Sequence, residues 1–287
     1  AAGSGGIKAC VASAIGDQFT YTNAHLLNRV YALFMWVLNL ASLVATLGNP
    51  LLLKHYGPHV AFGIPGLLMI LSAFIFWLGR RRFVHIPPAG PSYLRQMLAP
   101  DARRGIGALV VVFGLLAIPL GVLGLGNSSM VLQATQMDLD WLGLQWEPAQ
   151  VFAFNPLFAL ILIPLFTYAV FPYAARHVNL TPLRKMGTGL AVVVAILLIL
   201  AWVQWRIDLG ERPTIAWHVL VFALVIVVEI LIHMTAYEFC YTQAPNVGKA
   251  LLMALCFLST SVGNAYVAGV NFWLLAGGDR LQGAAYY

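Results

Sequence analysis

Apolar runs about as long as a bilayer is thick dominate this chain. A helix needs about 20 mostly apolar residues to cross the hydrocarbon core. Seven stretches reach that length: Arg29–Leu53, His59–Leu78, Ile106 to about Leu132, Phe154–Ala174, Met186–Trp205, Thr214–Met234 and Ala250 to about Leu275. Ala1–Ile15 is apolar, Gly-rich and too short to cross alone, so it reads as the inner part of a helix whose beginning is missing. The runs are continuous, not alternating, which predicts an all-α, polytopic membrane protein and not a β-barrel. Charged residues make up 9% of the chain, against about 25% in a soluble domain.

The linker and the orientation follow from the basic residues. Arg80, Arg81 and Arg82 end the second span abruptly, and the stretch to Arg104 is rich in Pro and Arg without apolar period. Residues 80–104 are therefore read as a cytoplasmic linker between a partial N-terminal bundle, 1–79, and a C-terminal bundle, 105–287. With that linker inside, eleven of the 16 Lys and Arg residues fall on its side of the membrane and four on the other, with Lys8 left within it. This matches the positive-inside bias. The net charge of +6 is thus a matter of topology, and no nucleic-acid partner is read from it. Cys10, Cys240 and Cys256 show neither metal spacing nor a disulfide pattern.

Two ionisable side chains, Lys8 and Glu229, interrupt apolar segments. A carboxylate at that depth costs about 2.5 kcal/mol or more and faces other helices or a water-filled cavity. His233 and Tyr237 follow Glu229 at four-residue spacing, which places all three on one face of an α-helix. Glu229 and Lys8 are candidates for substrate binding or proton coupling; the alternatives are a structural ion pair or a snorkelling chain. His233 either joins Glu229 in proton transfer or packs and gives one hydrogen bond. Asn39 is either a helix–helix clamp or a substrate contact. Asn155, before Pro156, is either an N-cap or a site group at a broken helix. Kinked helices with buried charges favour a secondary transporter. There is no P-loop, filter-like repeat or nucleophile–base pair, so no enzyme is expected.

Several local strings carry a resemblance. Gly3–Phe19 (GSGGIKACVASAIGDQF), Arg29–Ser42 (RVYALFMWVLNLAS), Asn155-Pro156 with Pro164 and Phe171-Pro172, Pro182–Gly189 (PLRKMGTG) and Glu229 followed by Glu238–Pro245 (EFCYTQAP), Lys249 and Gly263-Asn264 recur from one end of the chain to the other. Together they resemble the proton-dependent oligopeptide transporters of the major facilitator superfamily. The resemblance implies twelve helices in two six-helix bundles with the site between them, of which this chain would hold about helices 4 to 11. It also implies that Lys8 lies near the substrate carboxylate, that Asn39 and Asn155 contact the peptide, and that Glu229 receives its amino terminus. Met35 stands where the family has a Tyr, and Cys256 where it has a Trp.

The expected function is proton-coupled symport of di- and tripeptides by alternating access. The protein would be a monomer in the plasma or inner membrane, with protons as coupling ion and no other cofactor. Lys8, Glu229 and His233 are the candidates for coupling and gating. The alternatives are a symporter for another solute (an amino acid, an amine or nitrate) or a non-transporting, receptor-like remnant.

Overall fold

The computed structural model describes residues 11, 14–19, 23–84, 100–122, 124, 129–146, 148, 150–243 and 249–275. Their architecture is helical, apart from connecting turns and a hairpin of two two-residue strands. Helix α1 covers Leu27–Gly79, α2 Pro100–Val122 and α3 Ser129–Ala134. Strands β1 (Asp140–Trp141) and β2 (Leu144–Gln145) pair antiparallel. Then come α4 (Phe154–Leu165), α5 (Phe171–Ala175), α6 (Pro182–Asp208), α7 (Ala216–Val228), α8 (Thr235–Gln243) and α9 (Lys249–Leu275). Among the described residues six helices are long and apolar enough to cross a membrane: Leu27–Asn49, His55–Gly79, Val151–Ala175, Pro182–Asp208, Ala216–Phe239 and Leu252–Trp273. The seventh expected run, from Ile106, is occupied by α2 and α3.

The first two expected spans join in α1 with a single break at Gly57, whose φ of 79° and ψ of 176° lie where only glycine is comfortable. Pro58 follows and, lacking an N–H, is suited to the first turn of the next span. Gly57→Ala is therefore expected to destabilise the protein by about 1–3 kcal/mol. A lower thermal-unfolding midpoint would report it, whereas Gly66→Ala, with open space around the position, should not lower the midpoint. Beyond the break the apolar side chains are bare, Phe62 being 77% and Met69 73% exposed, which suits hydrocarbon surroundings and not water.

Two spans carry π-helical turns. In the span of α4 and α5, Pro164 and Pro172 lack N–H groups, and the wide turn Phe166–Val170 lies between them. In the span of α7 and α8 the wide turn is Glu229–Met234, which contains neither Pro nor Gly. There the environment is distinctive: Gly189 of α6 lets Ile232 approach so closely that an alanine methyl at 189 would stand 2.6 Å from Ile232 Cγ1.

Helix α9 lies along α2, α1 against α4, and α7 against both α4 and α6. Leu120, Ile196, Leu200, Ile226, Leu252 and Met253 are buried to 1% exposure or less. The α2–α9 crossing brings two backbones together: a methyl on Gly263 would overlap the Ala117 carbonyl oxygen and stand 2.7 Å from Gly121 N. Close approach through small residues is how membrane helices gain dispersion contact where lipid removes the hydrophobic drive.

Candidate functional site

Glu229 opens the π turn and is half-buried. Among the described residues no hydrogen bond or ion pair reaches its carboxyl. π turns inside α-helices are rare and recur at functional sites.

Three contacts set the level of the neighbouring helices. Phe152 meets Phe222 with ring centroids 5.9 Å apart, Trp36 Nε1 donates to Leu160 O at 3.0 Å, and Tyr31 meets Tyr237 at 6.2 Å. Helix α6 starts beside the end of α4–α5, at Phe171 and Lys185, and ends beside the start of α7, at Trp202 and Trp217, so α4 and α7 run the same way. Along that direction the three contacts come in the order given, while the α1 residues come in descending number, so α1 runs opposite to both. Asn39 lies eight residues after Tyr31, and Glu229 eight residues before Tyr237. At 1.5 Å per residue both are displaced by about 12 Å in the same direction. Asn39 and Glu229 therefore stand at one level, with Asn155 within about two turns of it.

The structure does not join these groups by hydrogen bonds. Asn39 is half-buried, and its Nδ2 donates at 3.0 Å to Met35 O of its own helix, with no interhelical bond from it among the described residues. Asn155 is not an N-cap. A 3₁₀ turn over Gln150–Ala153 runs straight into α4, which moves the helix entry upstream of Asn155 and leaves its amide half-buried within the first turn. His233 does not engage Glu229. Its Nε2 lies 3.5 Å from Thr260 Oγ1 on α9, and its ring lies 6.3 Å from that of Tyr237. Tyr237 is 7% exposed and packs on Tyr31 and Phe257. His233 and Tyr237 thus remain ring neighbours at four-residue spacing across the end of the π turn. Lys8 lies outside the described residues.

Other polar groups are not legible as site elements in the sequence. Lys185, counted with the loop cations, is only 9% exposed; its Nζ sits 4.5 Å from the Phe171 ring centroid, and it acts electrostatically on Glu238. Phe171, Lys185 and Glu238 come from three of the strings that carry the family resemblance, the one signal that could link them. Gln133 and His218 are buried and bonded at 2.8 Å; 85 residues separate them, and nothing in their spacing announces the pair. Cys256 is 1% exposed within the helix packing, so the exchange of Trp for Cys there falls in the core.

The sequence profile of the POT family matches residues 1–100 and 94–276. The chain belongs to the POT family. It is 30% identical over 230 residues to peptide transporter family 1 of Drosophila melanogaster, covering 66% of this chain and 31% of that protein. It is 28% identical over 249 residues to solute carrier family 15 member 2 of Rattus norvegicus, covering 72% and 34%. Among solved structures, the POT family transporter PepTSo matches with a TM-score of 0.71 and 30% identity over 91% of this chain and 66% of that one. An auto-inhibited POT family peptide transporter matches with a TM-score of 0.71 and 29% identity over 92% and 66%. The chain thus spans about a third of the curated relatives' length and about two thirds of the solved transporters. The POT chain is a multi-pass membrane protein with the helical fold of major facilitator transporters, and its relatives are transporters, not enzymes.

Proposed function

We propose that the full-length protein containing this chain is a proton-coupled symporter of di- and tripeptides, working by alternating access in the plasma or inner membrane with residues 80–104 in the cytoplasm. One observation carries the reading: in a POT-family chain, a half-buried carboxylate, Glu229, opens a π turn at the level of the Asn39 amide, with no protein partner among the described residues. An intramembrane carboxylate left open in this way is suited to a cationic ligand. A peptide ammonium would meet it through a charge-assisted hydrogen bond, and Asn39 and Asn155 can supply amide contacts. Lys8 would attract the carboxylate end, so that the separation of the two charges selects short zwitterions. Protons would serve as the coupling ion through carboxylates whose protonation changes as they are desolvated and paired.

Reconstitution of the full-length protein in liposomes tests this. An inward proton gradient is expected to drive accumulation of labelled dialanine, and the gradient-free control to show equilibration only. Binding without gradient-driven uptake would sink the symport reading. Met35, in place of the family's Tyr, favours a second reading, a symporter for a non-peptide solute; competition by amino acids, amines or nitrate, with none by dipeptides, would establish it.

A further inference from the structure

A single chain of hydrogen bonds crosses the end of the bundle where α6 stops and α7 begins. His218 on α7 and Gln133 on α3 are 1% and 3% exposed. His218 Nε2 lies 2.8 Å from Gln133 Oε1. Gln133 Nε2 donates at 3.2 Å to the Leu200 carbonyl of α6 and at 2.9 Å to Gln204 Oε1. Gln204 Nε2 donates at 3.0 Å to Asp208 Oδ1. Above this chain the backbone is laced as well: Asp138 N donates to Pro213 O at 3.0 Å, and Ile215 N donates to Asp138 O at 2.9 Å.

The chain has one direction, set by one atom. The Leu200 carbonyl can only accept, so the Gln133 nitrogen faces it. The Gln133 oxygen is thereby turned to His218, which must carry its hydrogen on Nε2. Gln204, having offered its oxygen to Gln133, can offer only its nitrogen to Asp208. Every link from the buried imidazole to the surface carboxylate donates toward Asp208.

His218 and Glu229 lie on one helical run. From 218 to 229 is eleven residues, which is three α turns with about 20° left over, and α7 is regular α-helix to Val228. Glu229 therefore leaves its helix within about 20° of the azimuth of His218, while Gly189 on α6 meets Ile232 further along. We propose that Gln133 is a positioning residue for the substrate site: its amide polarises the His218–Gln133–Gln204–Asp208 chain and so fixes the rotation of α7, and with it the aim of Glu229. This rests on the reading of Glu229 as the ammonium anchor.

The polarity makes the proposal testable by reversal. In Gln133→Glu the carboxylate still accepts from His218 but has no hydrogen for Gln204. Gln204 must turn its nitrogen inward, and its oxygen then faces the Asp208 carboxylate. Asp208→Asn supplies a donor at that outer end and restores the match between the side chains, leaving only the Leu200 carbonyl without its donor. In the reconstituted full-length protein, Gln133→Glu is expected to raise the half-saturation concentration for dialanine about tenfold with the maximal rate within about twofold. The double variant Gln133→Glu/Asp208→Asn is expected to return to within about threefold of the parent. The thermal-unfolding midpoints in detergent should follow the same order: parent, double variant, Gln133→Glu. If Gln133→Glu does not accumulate as folded protein, recovery of folded yield in the double variant supports the chain of bonds, and no recovery overturns it. A double variant no better than Gln133→Glu in both uptake and melting also overturns it, as does an unchanged half-saturation concentration in Gln133→Glu. A parent that takes up no dipeptide overturns the proposed function instead, and the melting order then decides the chain of bonds alone.

Discussion

Gly263→Ala is expected to cost about 3 kcal/mol or more, at the upper end of what overpacking does, and to leave little of the full-length protein folded. The added methyl meets backbone, not a side chain that can rotate away: it overlaps the Ala117 carbonyl and stands 2.7 Å from Gly121 N. The reverse contact is also too close for a methyl, one on Gly121 standing 2.5 Å from Gly263 O. Helices α2 and α9 would have to separate along their crossing, losing dispersion contact over its length. Size-exclusion profiles and thermal melts of the detergent-solubilised protein would read the loss. Gly114→Ala is the control on the same helix. Its position is open, so exchanging glycine for alanine there should be neutral or stabilising by up to about 1 kcal/mol. A Gly263→Ala protein that melts like the parent would show that the two backbones do not touch at this crossing.

Glu229→Gln is expected to lower proton-driven dipeptide uptake roughly 100-fold, the equivalent of about 2.7 kcal/mol and within the range for a hydrogen bond to a charged group. The glutamine keeps size and hydrogen-bonding capacity but removes the negative charge that would hold an ammonium. A dipeptide with a blocked amino terminus should distinguish the two proteins far less, because it has no ammonium to lose. Glu229→Gln transporting dialanine as well as the parent would remove Glu229 from its assigned role. Equal damage to blocked and free peptides would point to a structural part for the carboxylate.

Much of the candidate site is legible in the sequence because hydrocarbon makes polar residues conspicuous. Glu229 stands out for its cost in an apolar run, and the prolines of the α4–α5 span are by themselves enough to announce an irregular helix. His233 shows where that legibility stops. Its four-residue spacing from Glu229 gives a shared side of the helix but not a shared partner, and the π turn over Glu229–Met234 has no Pro or Gly to signal it. The environment turns His233 toward Thr260. Asn155 departs from the N-cap expectation for a similar reason, because the 3₁₀ turn before α4 extends the helix upstream.

The sequence by itself determined that the chain is helical and lies in a membrane, where six of the seven expected spans run to within about five residues, and which carboxylate is out of place. These follow from length, hydropathy and backbone hydrogen bonding, which act locally and need no partner. Only the tertiary structure decided which residues meet. Asn39 shares a level with Glu229 because Tyr31 packs on Tyr237, and the two-glycine crossing exists because α2 and α9 present bare backbone to each other. The chain from His218 to Asp208 takes its direction from one carbonyl, Leu200 O. Each of these depends on a contact between residues distant in the chain, set by the summed packing of several helices, and no local pattern encodes that sum.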